Sequence, residues 1–308
     1  MMYARQRVLS GYRQFLKEEY FSSRFVSNQK RLCYMASSPV QLTYSRVEGV
    51  DRDPDPQDPP LFIMHGLFGN KKNWRTIALT MNEKTGREIV TIDARNHGKS
   101  EHHDRMNYTL QALDARQLMY ELEIPKAVLV GHSMGGKVGM TFALTYPEMV
   151  DKLIVVDVSP SRSVSEDDIQ RYLNTKLQMD LGKVRSKQDA EKMLEGAVKS
   201  PMLRQFFLTN LVATSTGFQW RVNLEAIDRN LEEIMTFPEE FPYPTFEGDV
   251  LFIGGAKSNY IQRSDYARIY KLFPRAEITY IPDCGHWVHV DKPNELMDII
   301  LEFLSRDT

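Results

Sequence analysis

Apolar positions along the chain fall into short runs separated by longer amphipathic stretches. Leu61-Phe62-Ile63-Met64 and Ala127-Val128-Leu129-Val130 are unbroken apolar runs, and 88–93, 152–156, 250–254 and 277–281 are close to it. Runs of that length, flanked by turn residues, predict buried strands. Residues 40–47 alternate apolar and polar, which predicts a half-buried strand. Residues 51–60 are rich in Asp and Pro and predict a loop. Helices are predicted over 73–81, 110–122, 134–146, 264–273 and 294–304. The second has apolar positions at 110, 113, 118, 119 and 122 and stops at Pro125. Strands alternating with helices of this length mean βαβ units and a mostly parallel sheet, an α/β fold.

The rhythm breaks after Asp157. From Ser159 to about Glu247 the pattern is helical throughout, with no clear strand. Those residues, about 159–247, are expected to form a helical lid over the carboxyl ends of the strands, where open α/β sheets bind ligands. The lid belongs to one domain spanning 37–308.

Composition narrows the function. Formal net charge is −2, with both signs interspersed, which disfavours nucleic acid as a partner. Cys33 and Cys284 stand far apart, so a disulfide framework is not expected. No apolar run approaches the roughly 20 residues of a membrane-spanning helix. Residues 1–36 differ from the rest: Arg5, Arg7, Arg13, Lys17, Arg24, Lys30 and Arg31 face only Glu18 and Glu19. Arg-rich, Ser-bearing and acid-poor is the composition of a mitochondrial transit segment. The adjacent glutamates favour the alternative, a basic solvated tail on a cytoplasmic protein.

The chemistry centres on Gly131-His132-Ser133-Met134-Gly135. A G-x-S-x-G frame between a strand and a helix is the nucleophile elbow, whose strained turn demands small neighbours at Gly131, Gly135 and Gly136. A plain glycine-rich turn is the alternative. A serine hydroxyl needs a base. His286, in Asp283-Cys284-Gly285-His286-Trp287, follows the strand 277–281 and can reach over the strand ends; His289 is expected to pack or cap. Backbone donors for an oxyanion are expected at Met134, after the nucleophile, and at Leu67 in His65-Gly66-Leu67-Phe68-Gly69, with Phe68 lining the substrate pocket.

These motifs, with Asp93-Ala94-Arg95-Asn96-His97-Gly98-Lys99-Ser100 between them, fall in the order of α/β-hydrolases. Over residues 40–305 the chain resembles the α/β-hydrolase domain-containing protein 11 group and related bacterial esterases. The resemblance implies an α/β-hydrolase fold, with the lid inserted after the strand that follows the nucleophile helix. Animal members are generally mitochondrial, which agrees with the reading of residues 1–36. The chain departs from the commonest arrangement at the acid: Gly255-Ala256-Lys257-Ser258-Asn259-Tyr260 holds no carboxylate. Asp157, at the end of the strand after the elbow helix and flanked by valines, is the expected substitute. Asp228 on a lid helix is the runner-up, and Asn259 or a water-mediated arrangement the remaining alternative.

Other residues are expected to be structural. Asp93 and Arg95 brace the loop behind the site, and Cys284 packs. His97, His102 and His103 lack a metal-ligand pattern, so no metal is expected. Met202, Phe206, Phe207, Leu211 and Trp220 are read as lid packing, part of it forming the mouth of an acyl channel. The chain thus reads as a lipase-like serine hydrolase of esters or thioesters with a Ser133–Asp157–His286 triad, small-molecule substrates and no cofactor. An acyltransferase using the same triad, or a protein protecting a mitochondrial complex, are the alternatives.

Overall fold

Six largely apolar runs and an exposed edge strand join into a single sheet, and the burial of the central strands is why the sequence marks them so plainly. This computed structural model describes residues 38–49 and 58–306; the basic segment 1–36, Cys33 and most of the loop 51–60 lie outside the described residues. The strands are β1 (Tyr44–Val47), β2 (Leu61–Met64), β3 (Ile89–Ile92), β4 (Ala127–His132), β5 (Val150–Val156), a separate hairpin of β6 (Leu211–Thr214) and β7 (Gly217–Trp220), then β8 (Asp249–Gly255) and β9 (Ala276–Ile281). The sheet order is β1-β3-β2-β4-β5-β8-β9, with β1 antiparallel and the rest parallel. β2, β3 and β4 are buried at every position, as parallel strands covered on both faces must be. The edge strand β1 is shorter than 40–47 predicts. The Val40 and Thr43 amides donate to the Asp114 and Ser100 side chains, outside the ladder.

Helices α1 (Arg75–Thr85), α2 (Tyr108–Glu121) and α3 (Met134–Ala143) follow in order. Successive strand residues point to opposite faces. Leu61, Ile63, Val128 and Val130 pack with Ile77 and Met81 of α1, whereas Phe62, Met64 and Leu129 pack with α2 and α3. α3 is buried at all ten positions.

Between β5 and β8 lie α4 (Glu166–Leu177), α5 (Lys187–Leu194), α6 (Pro201–Leu208), α7 (Leu224–Arg229) and α8 (Leu231–Met235). Ser186, Ser200 and Asn223 cap three of these helices through their side chains. The lid is not helical throughout: β6 and β7 pair as an antiparallel hairpin. Its physical basis was present in the sequence. Val212 and Thr214 are β-branched, Phe218 and Trp220 aromatic, and Gly217 takes φ +136 beside the turn. After the lid come α9 (Tyr266–Leu272), α10 (Val288–Asp291) and α11 (Pro293–Leu304), the last packed with α1. No helix of the described residues is long and apolar enough to cross a membrane.

Candidate active site

Three chain reversals at the carboxyl ends of β4, β5 and β9 bring the site together. Ser133 follows β4 with φ +52, a conformation costly for a residue with a side chain. The turn closes only because its neighbours are bare. A Cβ on Gly131 would lie 2.2 Å from the Gly135 carbonyl oxygen, and one on Gly135 would lie 2.3 Å from that of Met64. Hydrogen bonds hold the strained serine: its amide donates to Val156 O at 2.9 Å, and its carbonyl accepts from the Gly136 and Lys137 amides.

Asp157 lies just past β5, also at positive φ and fully buried. Its Oδ1 accepts from the Gly255 amide at 2.9 Å and its Oδ2 from Ser258 Oγ at 2.5 Å. His286 Nδ1 lies 2.8 Å from Asp157 Oδ2, and its Nε2 lies 3.1 Å from Ser133 Oγ. With the carboxylate accepting from Nδ1–H, Nε2 keeps a lone pair facing the serine hydroxyl. Asp228 is not brought to His286; it lies on α7 and accepts from Gln170. Asn259 offers its carbonyl to Gln262.

Leu67 and Met134 both line the cavity beside Ser133, and neither amide has an acceptor among the described residues. The neighbouring Phe68 amide is committed to His97 Nε2 at 3.1 Å, and Phe68 O accepts from Asn210 of the lid. The loop carrying Leu67 is therefore clamped from both sides. The Phe68 side chain is buried against Phe207 and lines the cavity. That cavity, of about 200 Å³, is walled by the triad side of the sheet and by the lid residues Ile169, Tyr172, Leu203 and Phe207.

The histidines divide by task. His65 and His97 each donate from Nδ1 to a carbonyl and accept an amide at Nε2, so both rings are structural and neutral. His289 stacks on Trp74 at 4.8 Å. Burial pushes His97 and His289 down to about 3, and holds His65 and His132 below the usual histidine range. His102 donates to Arg221 O, and His103 accepts from the Arg105 amide. Asp93 pairs with Lys71, and Arg95 forms a fully buried pair with Asp114 at 2.6 Å. Cys284 is buried, and burial pushes its thiol up to about 11, which leaves it unreactive.

Several neighbours of the site were not legible from motifs. His132 Nε2 donates to the His286 carbonyl at 2.8 Å, tying the elbow to the base's own loop. The Tyr260 ring stacks on the His286 imidazole with centroids 3.7 Å apart, and its hydroxyl meets Ser165 of the lid. Thus the segment lacking a carboxylate contributes Ser258 as a partner of Asp157 and Tyr260 as a partner of His286. Lys176 of α4 is buried behind the aromatic wall, 3.3 Å from the Phe68 ring centroid and 3.5 Å from that of Phe207. Met202, read as packing, is 46% exposed: it lies on the outer side of α6, opposite Phe207.

A serine at a strand-to-helix elbow within hydrogen-bond reach of a late histidine, on a lidded parallel sheet, is the architecture of the α/β hydrolases. The chain matches the α/β hydrolase fold family over residues 59–293 and belongs to it. It is 44% identical to the sn-1-specific diacylglycerol lipase ABHD11 of Danio rerio, over 87% of this chain and 84% of that protein. It is 32% identical to a probable alcohol acetyltransferase of Saccharomyces cerevisiae, over 80% and 78% of the two chains. Among solved structures, a marine microorganism esterase superposes with a TM-score of 0.79 at 30% identity, covering 86% of this chain and 99% of that one. Family and relatives place the chain among the carboxylic ester hydrolases.

Proposed function

We propose that the chain cleaves esters or thioesters of apolar acyl groups through an acyl-enzyme on Ser133. His286 Nε2 takes the Ser133 proton as Oγ attacks the carbonyl carbon, and Asp157 holds the imidazole in the tautomer this requires. The developing oxyanion accepts from the Leu67 and Met134 amides, each worth about 3 kcal/mol of transition-state stabilisation. The leaving alcohol or thiol takes the proton from His286. The imidazole then deprotonates water, which attacks the acyl carbon and frees Ser133. The observation that carries this reading is the unbroken line Ser133 Oγ–His286–Asp157, at 3.1 and 2.8 Å, opening on a cavity with an aromatic wall. Its test is a panel of p-nitrophenyl esters and acyl thioesters of increasing chain length. Turnover rising with acyl length supports the reading; a folded protein that turns over none of them removes it.

The yeast relative's name favours a second reading, transfer of the acyl group to an alcohol. Adding an alcohol acceptor and separating the products distinguishes them: free acid as the main product supports hydrolysis, new ester supports transfer. Import into the mitochondrial matrix through residues 1–36 is part of the same proposal and rests on their basic, acid-poor composition. A fluorescent fusion lacking 1–36 should stay in the cytoplasm; one that still reaches the matrix overturns this role.

A further inference from the structure

Lys137 lies one helical turn beyond Ser133 on α3, so its side chain projects along the same face as the elbow. It is 1% exposed, yet it lines the catalytic cavity. Buried ammonium groups are ordinarily paired with a carboxylate, because an isolated charge in a low-dielectric interior is strongly disfavoured. Lys137 has no such pair among the described residues. Its Nζ donates to Ser163 Oγ at 3.0 Å and to the carbonyls of Met235 and Thr236 at 3.0 and 3.2 Å. Burial pushes it down to about 7, and the nearby Arg162 and Arg268 push the same way against the weaker pull of Asp265. Below about pH 7, where it is protonated, the ammonium is hydrogen-bonded but not paired with a carboxylate.

Ser163 is the outlet of this arrangement. Its hydroxyl accepts from Lys137, and its own proton has no acceptor among the described residues. Ser163 lines both the catalytic cavity, which Asp168 also lines, and a second cavity of about 140 Å³ lined by Ser161, Arg162 and Asn259 and by Asp265, whose carboxylate accepts from Ser161. A hydroxyl that receives a hydrogen bond from an ammonium is a strengthened donor, and one backed by an uncompensated positive charge selects an anion over a neutral acceptor. One strengthened donor and one charge suit a single carboxylate.

We propose that Ser163 and Lys137 form a carboxylate subsite, so that the favoured substrates carry a carboxylate on the alcohol or thiol portion of the ester. The portion is assigned by chemistry. The two halves of an ester diverge from the carbonyl carbon, and the aromatic wall of Phe68, Tyr172 and Phe207 already suits the apolar acyl half. The inference rests on the hydrolase reading above and adds the class of leaving group to it.

The test compares octanoyl esters of 3-hydroxypropanoate and 3-hydroxypropanamide, which differ by a charge at nearly constant shape. The wild type should favour the carboxylate in kcat/KM by about tenfold or more, chiefly through KM. Ser163→Ala and Lys137→Met should each bring the ratio close to one. Lys137→Met joins α3 to fewer lid groups and can unfold the lid, so Ser163→Ala, which keeps the helix and its packing, is the deciding variant. A wild-type ratio near one with both esters turned over overturns the subsite alone. An unchanged ratio in folded Ser163→Ala does the same. A preference appearing only when the carboxylate is moved to the acyl portion overturns the assignment. Loss of turnover on both esters in the wild type overturns the hydrolase reading and this inference together.

Discussion

The sheet-borne half of the site and the lid-borne half are built on different physics. Ser133 and Asp157 stand at the ends of strands buried almost throughout, His286 stands in the loop after the half-buried β9, and every bond that orients them comes from backbone or from the strand-end loops. The lid meets the body through a shared apolar core and many scattered polar bonds, among them Lys137 to Ser163, Met235 and Thr236, Tyr108 to Ile234 O, Asn210 to Phe68, Asn230 to the Met106 amide and Asp104 O, and Arg229 to Asp104. Close-packed strand ends hold reacting atoms to fractions of an ångström, which bond making demands. The lid's contacts are made by side chains at many scattered positions, so its cavity-facing residues can change without moving the strand ends. In the proposed reading the sheet carries the chemistry and the lid shapes the substrate cavity.

The largest expected effect breaks the sheet-borne half. Ser133→Ala should lower kcat by about 10⁴-fold or more on any ester, with the circular dichroism spectrum unchanged. A loss of less than tenfold would move the nucleophile elsewhere. The next effect sets the two halves against each other. Asp157→Asn should cost about 10³- to 10⁴-fold in kcat, since the amide favours the wrong tautomer of His286. Asp228→Asn, whose carboxylate meets Gln170 and no other partner among the described residues, should cost less than about twofold. A reversed ranking in folded variants would transfer the acid to the lid.

A smaller effect follows from the neutral histidines packed beneath the strand ends. His97 and His289 bind a proton only near pH 3 in the folded chain, but near 6.5 when unfolded. As pH falls below about 6.5 the unfolded chain gains protons that the folded chain refuses, so folded stability falls. Each histidine should remove about 2 kcal/mol between pH 7 and pH 5. Urea unfolding midpoints at the two values check the sign; a midpoint that rises on acidification contradicts it. The smallest effect belongs to the lid. Phe207→Ala should raise KM about tenfold for octanoyl esters and leave acetyl esters nearly unaffected, because only the longer chain reaches that ring. Equal effects on both would place Phe207 outside the acyl wall.

The same division governs what the sequence made legible. Strands came through because buried parallel strands are short apolar runs, and observed ends lie within two residues of the expected ones for β2, β3, β4, β5, β8 and β9. The elbow came through because close backbone approach at Gly131 and Gly135 leaves a local signature. Asp157 stands out in the sequence because the loop after β8, residues 256–260, lacks an acid. The lid resisted: its hairpin is two four-residue strands with no neighbouring sheet, too short to stand out from helical surroundings. Contacts that join the halves were equally silent. Asn210 on Phe68, Tyr260 on His286 and Lys137 between the two lid roots link residues far apart in sequence, and no spacing rule reports them. His132, inside the elbow motif, carried no sign that it would hold the His286 carbonyl 154 positions away.

The central claim, that the sheet half holds an activated serine, is tested most directly by a fluorophosphonate probe on purified wild type and Ser133→Ala, with the modified peptide identified by mass spectrometry. The account predicts labelling of Ser133 in the wild type and none in the variant. Labelling that persists in folded Ser133→Ala, or a folded wild type that takes no label, would contradict it.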